Sequence, residues 1–310
     1  MAALAGCASF SDDGGLKQVS ELTRERIAQP VALQRDAAQT ETAPARVSEL
    51  LKAPLNVDAA VEVALLSNRD LQAQLANLGI AEADLVRAGR LRNPGFSFGR
   101  LSGSGVVEYD RAVMFDLLGL LTMPMARQIE QQRFERAQLQ AAQDAVTLAV
   151  NTRRAYFNAV GAQEQLRYLQ QVKETADIAN ELAKRMAQAG NFNRLTQLRE
   201  QAFYADTTAQ LARVQQQALA DRERLTRLLG LTGAQAKFQL PDRLPELPKQ
   251  ALEVRGAEQT AMEKRLDIQI AMRQTEALAR SLGLTRSTRM VNVLEVGYQN
   301  KSETGIPSSK

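Results

Sequence analysis

The chain has 310 residues, with 39 Lys and Arg against 35 Asp and Glu, and no His. A net charge of +4, with both signs interspersed, describes solvated helix faces and excludes a nucleic-acid footprint. The missing His excludes a His-ligated metal, a His general base and a Ser-His-Asp triad, and the single Cys excludes an internal disulfide or a CxxC motif. Aromatic residues make up only 5 % and Trp is absent. Ala, Leu, Gln, Arg and Glu dominate, which is the usage of long helices and coiled coils.

The chain opens Met1-Ala2-Ala3-Leu4-Ala5-Gly6-Cys7-Ala8. Leu-Ala-Gly-Cys resembles the bacterial lipobox, in which the Cys is acylated and becomes the new N-terminus. Ala8 after the Cys, where Asp would retain the protein, implies sorting to the outer membrane. A complete signal carries a basic region and a longer apolar stretch, so residues 1–7 are expected to be part of one. Acyl chains on Cys7 would anchor the protein to one leaflet without spanning it. Residues 8–53 follow as an expected extended arm. This stretch is polar, holds Pro30 and Pro44, and predicts one short helix over Leu16–Ile27.

A first structural unit is expected over 54–230. A helical stretch ends near Arg90, and a hairpin is expected over 93–120. Asn93-Pro94-Gly95-Phe96-Ser97-Phe98-Gly99 leads to a turn at Gly103-Ser104-Gly105. Beyond it Val107, Tyr109, Val113, Phe115 and Leu117 alternate with Glu108, Asp110, Ala112, Met114 and Asp116, with Arg111 breaking the apolar side. A period of two over about ten residues matches a strand that crosses a bilayer. Nothing reaches eighteen consecutive apolar residues, which excludes a transmembrane helix. A hairpin alone would leave unsatisfied edges in lipid, so other strands or other chains must close the barrel.

From Met125 to Leu229 there is no Pro, and the only Gly residues are Gly161 and Gly190. So long a span predicts a helical hairpin over 125–230 that buries its stripe against neighbours. In its first arm Leu166, Leu169, Val172, Ala176, Ile178/Ala179, Ala183 and Met186 recur at threes and fours. In the second arm the expected stripe is Leu195, Leu198, Ala202, Ala205, Ala209, Ala212, Gln216 and Leu219. Gly190-Asn191-Phe192-Asn193 between them reads as a C-cap and turn.

A proline-punctuated linker is expected over 231–258, centred on Leu240-Pro241-Asp242-Arg243-Leu244-Pro245-Glu246-Leu247-Pro248. Residues 259–310 then restart the first unit. Arg265-Leu266-Asp267-Ile268-Gln269 echoes Arg69-Asp70-Leu71-Gln72, about 200 residues apart. The echo continues into a strand-like Met290–Tyr298, in which Met290, Leu294, Val296 and Tyr298 share a face. A return strand and a second helical hairpin are missing, so the chain is expected to be a C-terminally truncated product.

The order and spacing of several segments resemble the TolC-type outer-membrane efflux family, over about residues 50–300. They are Pro54-Leu55-Asn56-Val57-Asp58-Ala59-Ala60, Asn68-Arg69-Asp70-Leu71, Ile80-Ala81-Glu82-Ala83-Asp84-Leu85, Asn93-Pro94, Ala189-Gly190-Asn191-Phe192-Asn193-Arg194-Leu195 and the Leu-Pro-Asp-Arg-Leu-Pro linker. The resemblance implies a mainly α fold with a small β part. Long antiparallel hairpins would form an α-barrel, and amphipathic strands would join a trimeric outer-membrane β-barrel. It implies a homotrimer, fed by a periplasmic membrane-fusion adaptor and an inner-membrane transporter. The duct would be passive, would have no catalytic residue, cofactor or metal, and would export small molecules or ions.

The lipidated branch of the family fits Cys7. It implies a protein lipid-anchored in the outer membrane of a Gram-negative bacterium, with most of the chain in the periplasm. Gly190, Asn191 and Phe192 would occupy the tip that meets the adaptor. The family commonly has Asp after the tip Leu, whereas Thr196 follows Leu195 here. Family gating residues sit on the second hairpin, so none is assigned. The alternatives are a coiled-coil scaffold or adaptor lipoprotein without transport, and a nonfunctional fragment of the duct. An enzyme is disfavoured, because no phosphate loop or nucleophile–base pair occurs. Glu130/Glu135 and Asp221/Glu223 read as solvated helix charges.

Overall fold

The computed structural model describes residues 9–33, 37–103, 106–247, 249, 256–291 and 293–305. Cys7, the turn residues Ser104 and Gly105, Pro248 in the linker, and Ile306–Lys310 lie outside them. The elements run α1 (Leu16–Ile27), α2 (Ala37–Leu50), α3 (Val57–Ser67), α4 (Arg69–Ala88), β1 (Gly95–Gly103), β2 (Val106–Asp116), α5 (Leu117–Gln188), α6 (Arg194–Leu229), α7 (Ala257–Lys264), α8 (Leu266–Ser287) and β3 (Glu295–Gly305). The predicted fold class, mainly helical with a small β part, is the one observed.

Three expectations need correction. The arm is not extended over 37–50, because α2 forms there with Pro44 inside it. Pro44 sits on the exposed side while Ala43 and Val47 are buried, so core contacts on one face outweigh the lost backbone donor. Next, α5 begins at Leu117, ahead of Pro124, and takes residues 117–120 away from the expected hairpin. Asp116 is the reason: its Oδ1 accepts from the Gly119 N–H at 2.7 Å and caps the helix. Leu117 and Leu118 N–H also donate to the Leu294 carbonyl. Finally, β3 starts at Glu295, so Met290 and Leu294 precede the strand.

Two compact units are present. The first holds the described parts of Met1–Gln18, Ala76–Ala141 and Glu258–Lys310. The second is Val19–Leu75 with Ala142–Ala257.

In the second unit a core forms from Val47, Leu55, Val63, Tyr156, Val160, Leu225, Leu229 and Phe238 with smaller neighbours. The family-like segments act here. Asn56 caps α3, its side chain accepting from the Ala59 N–H at 2.8 Å. Asn68 is buried, and its Oδ1 accepts from the Leu71 N–H at 3.0 Å, capping α4. Its Nδ2 donates to the Leu228 carbonyl at 3.1 Å, fixing α4 to the end of α6. Gly230 ends α6 at φ +68, and a Cβ there would lie 2.4 Å from the Ser67 carbonyl oxygen. Only glycine combines that conformation with that approach.

The linker is docked along this unit. Residues 233–237 form a 3-10 turn, and Phe238 and Leu240 are buried. Arg222 stacks over Phe238 at 4.5 Å and donates to its carbonyl. Arg167 pairs with Asp242, and Glu164 accepts from the Leu244 N–H.

In the first unit the sheet order is β1-β2-β3, all antiparallel. The strand of the second sequence copy, β3, therefore pairs directly with the first copy. Alongside it, Arg273 and Arg280 of α8 reach Glu135, Gln132 and Gln128 of α5. Ser11 donates to the buried Glu82 of α4 through its N–H and its hydroxyl.

Candidate functional site

Three surfaces carry the expected function: the sheet, the flanks of the α5–α6 hairpin, and its tip.

The register of the sheet sorts its residues onto two faces. One face has Phe115 beside Val296, then the row Phe96, Val113, Tyr298, then Phe98, Arg111, Asn300, then Arg100, Tyr109, Ser302. Its first rows are apolar, and the rows toward the β1–β2 turn are mixed. Arg111 is not its only charge, because pairing brings Arg100 onto the same face, 5.9 Å over the Tyr109 ring. The other face carries Ser97, Glu108, Asp110, Gln299, Lys301, Glu303 and three glycines of β1, together with Leu101, Val106, Ala112 and Met114. There Lys301 pairs with Glu108 at 3.2 Å, and Gln299 donates to Asp110. Phe96 is 74 % exposed and Tyr298 69 % exposed, so no helix among the described residues covers the apolar side. Among the described residues, the outer edges of β1 and β3 pair with nothing. The strands have 9, 11 and 11 residues, enough to cross a bilayer.

The hairpin flanks show the main difference from the sequence reading. On α5 one buried stripe runs through Ala142, Ala145, Ala149, Thr152, Tyr156, Ala159, Leu169, Ala176, Asn180 and Ala183, spaced at threes, fours and their sums, and Ala155, Val160 and Ala162 are buried beside it. Leu169, Ala176 and Ala183 were expected, but Ile178 is exposed. On α6 the expected stripe is solvent-facing: Leu195 and Leu219 are more than half exposed, and Ala202, Ala205, Ala209 and Ala212 lie open between them.

The side of α6 that loses solvent runs instead through Gln197, Glu200, Tyr204, Thr207, Leu211, Val214, Ala218 and Leu225. Its polar members explain why the sequence hid it. The Thr207 hydroxyl donates back to the Phe203 carbonyl at 2.8 Å, so it is buried satisfied. Tyr204 lies under the Lys173 ammonium at 5.6 Å. Asp177 accepts from that ammonium at 2.7 Å and raises its pKa above the ordinary lysine value. Thus α6 carries two heptad stripes on nearly opposite faces. A helix of that kind fits between two neighbours.

At the tip, Gly190 takes φ +79. The Asn191 and Phe192 N–H groups both turn back to the Met186 carbonyl, at 2.8 and 3.3 Å. Asn193 caps α6, its Oδ1 accepting from the N–H and the hydroxyl of Thr196, at 2.8 and 3.0 Å. Thr196, where the family commonly has Asp, is thus part of the cap. A Cβ at Gly190 would meet nothing within 4 Å, so glycine is there for its backbone and the surface around it is open. Asn191 is exposed and Phe192 half-buried.

Among the described residues no group of three Cys, Asp or Glu side chains could hold a metal, and no helix is long and apolar enough to cross a membrane.

Residues 122–231 match the family model described as outer membrane efflux protein. Among curated proteins none matches the chain. Three solved structures share the fold. A membrane protein from Pseudomonas aeruginosa has a TM-score of 0.66 at 18 % identity, over 82 % of this chain and 66 % of that one. The outer-membrane channel OprN has a TM-score of 0.61 at 20 % identity, over 89 % and 68 %. The outer membrane protein VceC from Vibrio cholerae has a TM-score of 0.59 at 14 % identity, over 82 % and 69 %. The chain spans about two thirds of the length of these structures.

Proposed function

We propose that this chain, whose residues 122–231 match the outer membrane efflux protein model, is a member of that family and an outer-membrane channel subunit of an efflux pump. The observation that carries the reading is the pair of opposed stripes on α6, joined in the same chain to a sheet whose one face is apolar in its first rows and whose two edges are open among the described residues. A helix with two seams closes into a ring of helices once each has a neighbour on both sides. A sheet with open edges closes into a barrel once neighbours supply the adjoining strands. Homotrimerisation does both. The apolar rows around Phe96, Val113, Tyr298 and Phe115 then face lipid, and the face with Glu108, Asp110 and Lys301 lines water.

The tip, with Gly190, Asn191 and Phe192, meets the helical hairpin of a periplasmic adaptor, and an inner-membrane transporter supplies the energy. The duct is passive and catalyses no reaction. Cys7 carries the acyl anchor, which holds the protein to the outer membrane while the hairpin lies in the periplasm.

Expression of the full chain in a Gram-negative host, followed by fractionation and cross-linking, tests this. The wild-type chain is expected in the outer-membrane fraction as a trimer. Ala205→Asp, on the open stripe of α6, is expected to abolish the trimer while far-UV circular dichroism keeps its helical signal. A monomeric soluble product, or a trimer indifferent to Ala205→Asp, overturns the reading and leaves the coiled-coil scaffold.

A further inference from the structure

Two hollows in the first unit meet beside the start of the sheet. One, of about 480 Å³, is walled by the end of α4 and the start of α5, and holds Arg87, Arg90, Arg92 and Arg133 against the carboxylates of Asp84 and Glu130. The other, of about 390 Å³, shares Arg87, Arg90 and Arg92, but its remaining wall is largely apolar, with Phe10, Val86 and Leu91. The arginines therefore stand between a polar chamber and a greasy one. Arg92 leads into β1 and pairs with Asp116, the last residue of β2, at 3.4 Å. Phe10 is brought there by the chain segment that Ser11 fastens to Glu82.

We propose that this double hollow binds the phosphate of a glycerophospholipid, with the head group among the arginines and an acyl chain along Phe10 and Leu91. Guanidinium forks grip phosphate oxygens in pairs, and a phosphodiester presents two free oxygens to them. The ion pairs that Arg87 makes with Asp84 at 3.2 Å, Arg133 with Glu130 at 2.6 Å and Arg92 with Asp116 all involve arginines more than half exposed. Such pairs contribute little, so exchanging them for phosphate costs little. A soluble anion would use the polar chamber alone and would leave Phe10 and Leu91 in water. A phospholipid uses both chambers. Arginines at the root of a membrane strand, beside exposed Leu91, Leu120 and Leu121, also match the depth at which a bilayer presents its phosphates.

This inference rests on the reading of the sheet as membrane-embedded, so its test is run in detergent, where the hollow is read without any channel. The full chain in dodecyl maltoside is titrated with dioleoyl phosphatidylglycerol, with dioleoylglycerol, and with inorganic phosphate, and retained lipid is counted by native mass spectrometry. The expected result is one retained phosphatidylglycerol per protomer, dioleoylglycerol at least about tenfold weaker, and no displacement by millimolar phosphate. The double variant Arg87→Gln/Arg92→Gln is expected to lower retention about tenfold, while Arg286→Gln leaves it unchanged. Equal retention of the two lipids, displacement by inorganic phosphate, or indifference to the double variant overturns the proposal. If the double variant loses its helical signal, the discrimination between the two lipids by the wild-type chain decides alone.

Discussion

The helices α4 and α8 begin with nearly the same words and end in different circumstances. Asp70-Leu71-Gln72 opens one, and Asp267-Ile268-Gln269 opens the other. In α4, Leu71, Leu75, Leu78 and Val86 are buried, and Asn68 caps the helix from the preceding position. In α8 only Leu266 and Ala277 are buried, while Met272, Leu278 and Leu282 stand open. Arg265 occupies the cap position there and makes no side-chain cap bond. It pairs with Asp267 at 2.5 Å. One amphipathic pattern thus gives a core helix where the chain supplies neighbours on that face, and a surface helix where it does not. The pattern specifies which face seeks cover; the rest of the chain decides whether cover arrives.

Truncating one leucine in each helix is the strongest way to break this contrast. Leu75→Ala, at a side chain with no exposure, should cost about 3 kcal/mol by urea unfolding. Leu278→Ala, at 64 % exposure, should stay within about 0.5 kcal/mol in the dispersed protomer. Equal losses would mean that α8 is packed in the free chain.

The caps give a smaller effect. Asn68→Ala removes the α4 cap and the bond to the Leu228 carbonyl, and should cost about 2 kcal/mol. Arg265→Asn gives α8 the cap that α4 has, and should gain about 0.5–1 kcal/mol, read as a higher urea midpoint.

The smallest effect is a pH dependence. The hydrogen bonds from Arg265 hold the Asp267 carboxyl below its ordinary value of 3.8. A carboxyl lowered in the folded state stabilises it above the ordinary value and loses that contribution as pH falls through the lowered one. The difference in midpoint between wild type and Asp267→Asn should therefore shrink below about pH 4. Arg265→Asn should bring the Asp267 titration, followed by NMR, back to the ordinary range.

Much of the architecture is written in local patterns. The period of two in β2, the Pro-free span of α5 and α6, and the Gly-Asn tip each depend on neighbours a few residues away. What the sequence conceals depends on partners far along the chain. Pro44 reads as a breaker because the burial of Ala43 and Val47 is a tertiary fact. Pro124 marks a helix start only until Asp116 is seen to cap from upstream. On α6 the eye chooses Leu195, Ala202 and Ala209, because Gln197, Glu200 and Thr207 look too polar to be inside. Back-bonding at Thr207 and the neighbouring lysine–tyrosine contact make a polar face acceptable there. The shared arginines of α4 and the following segment were equally silent, since only folding brings Arg133 to Arg87.

The two open edges of the sheet also set a clock. Among the described residues the outer edges of β1 and β3 each offer a row of unpaired amides that any extended peptide could extend. In the proposed trimer, a population of open-edged chains would persist only as long as its members take to find one another. Its lifetime would lengthen with dilution and shorten with faster synthesis, as for a reaction of order higher than one. For the proposed trimer, folding and finding company are a single kinetic problem.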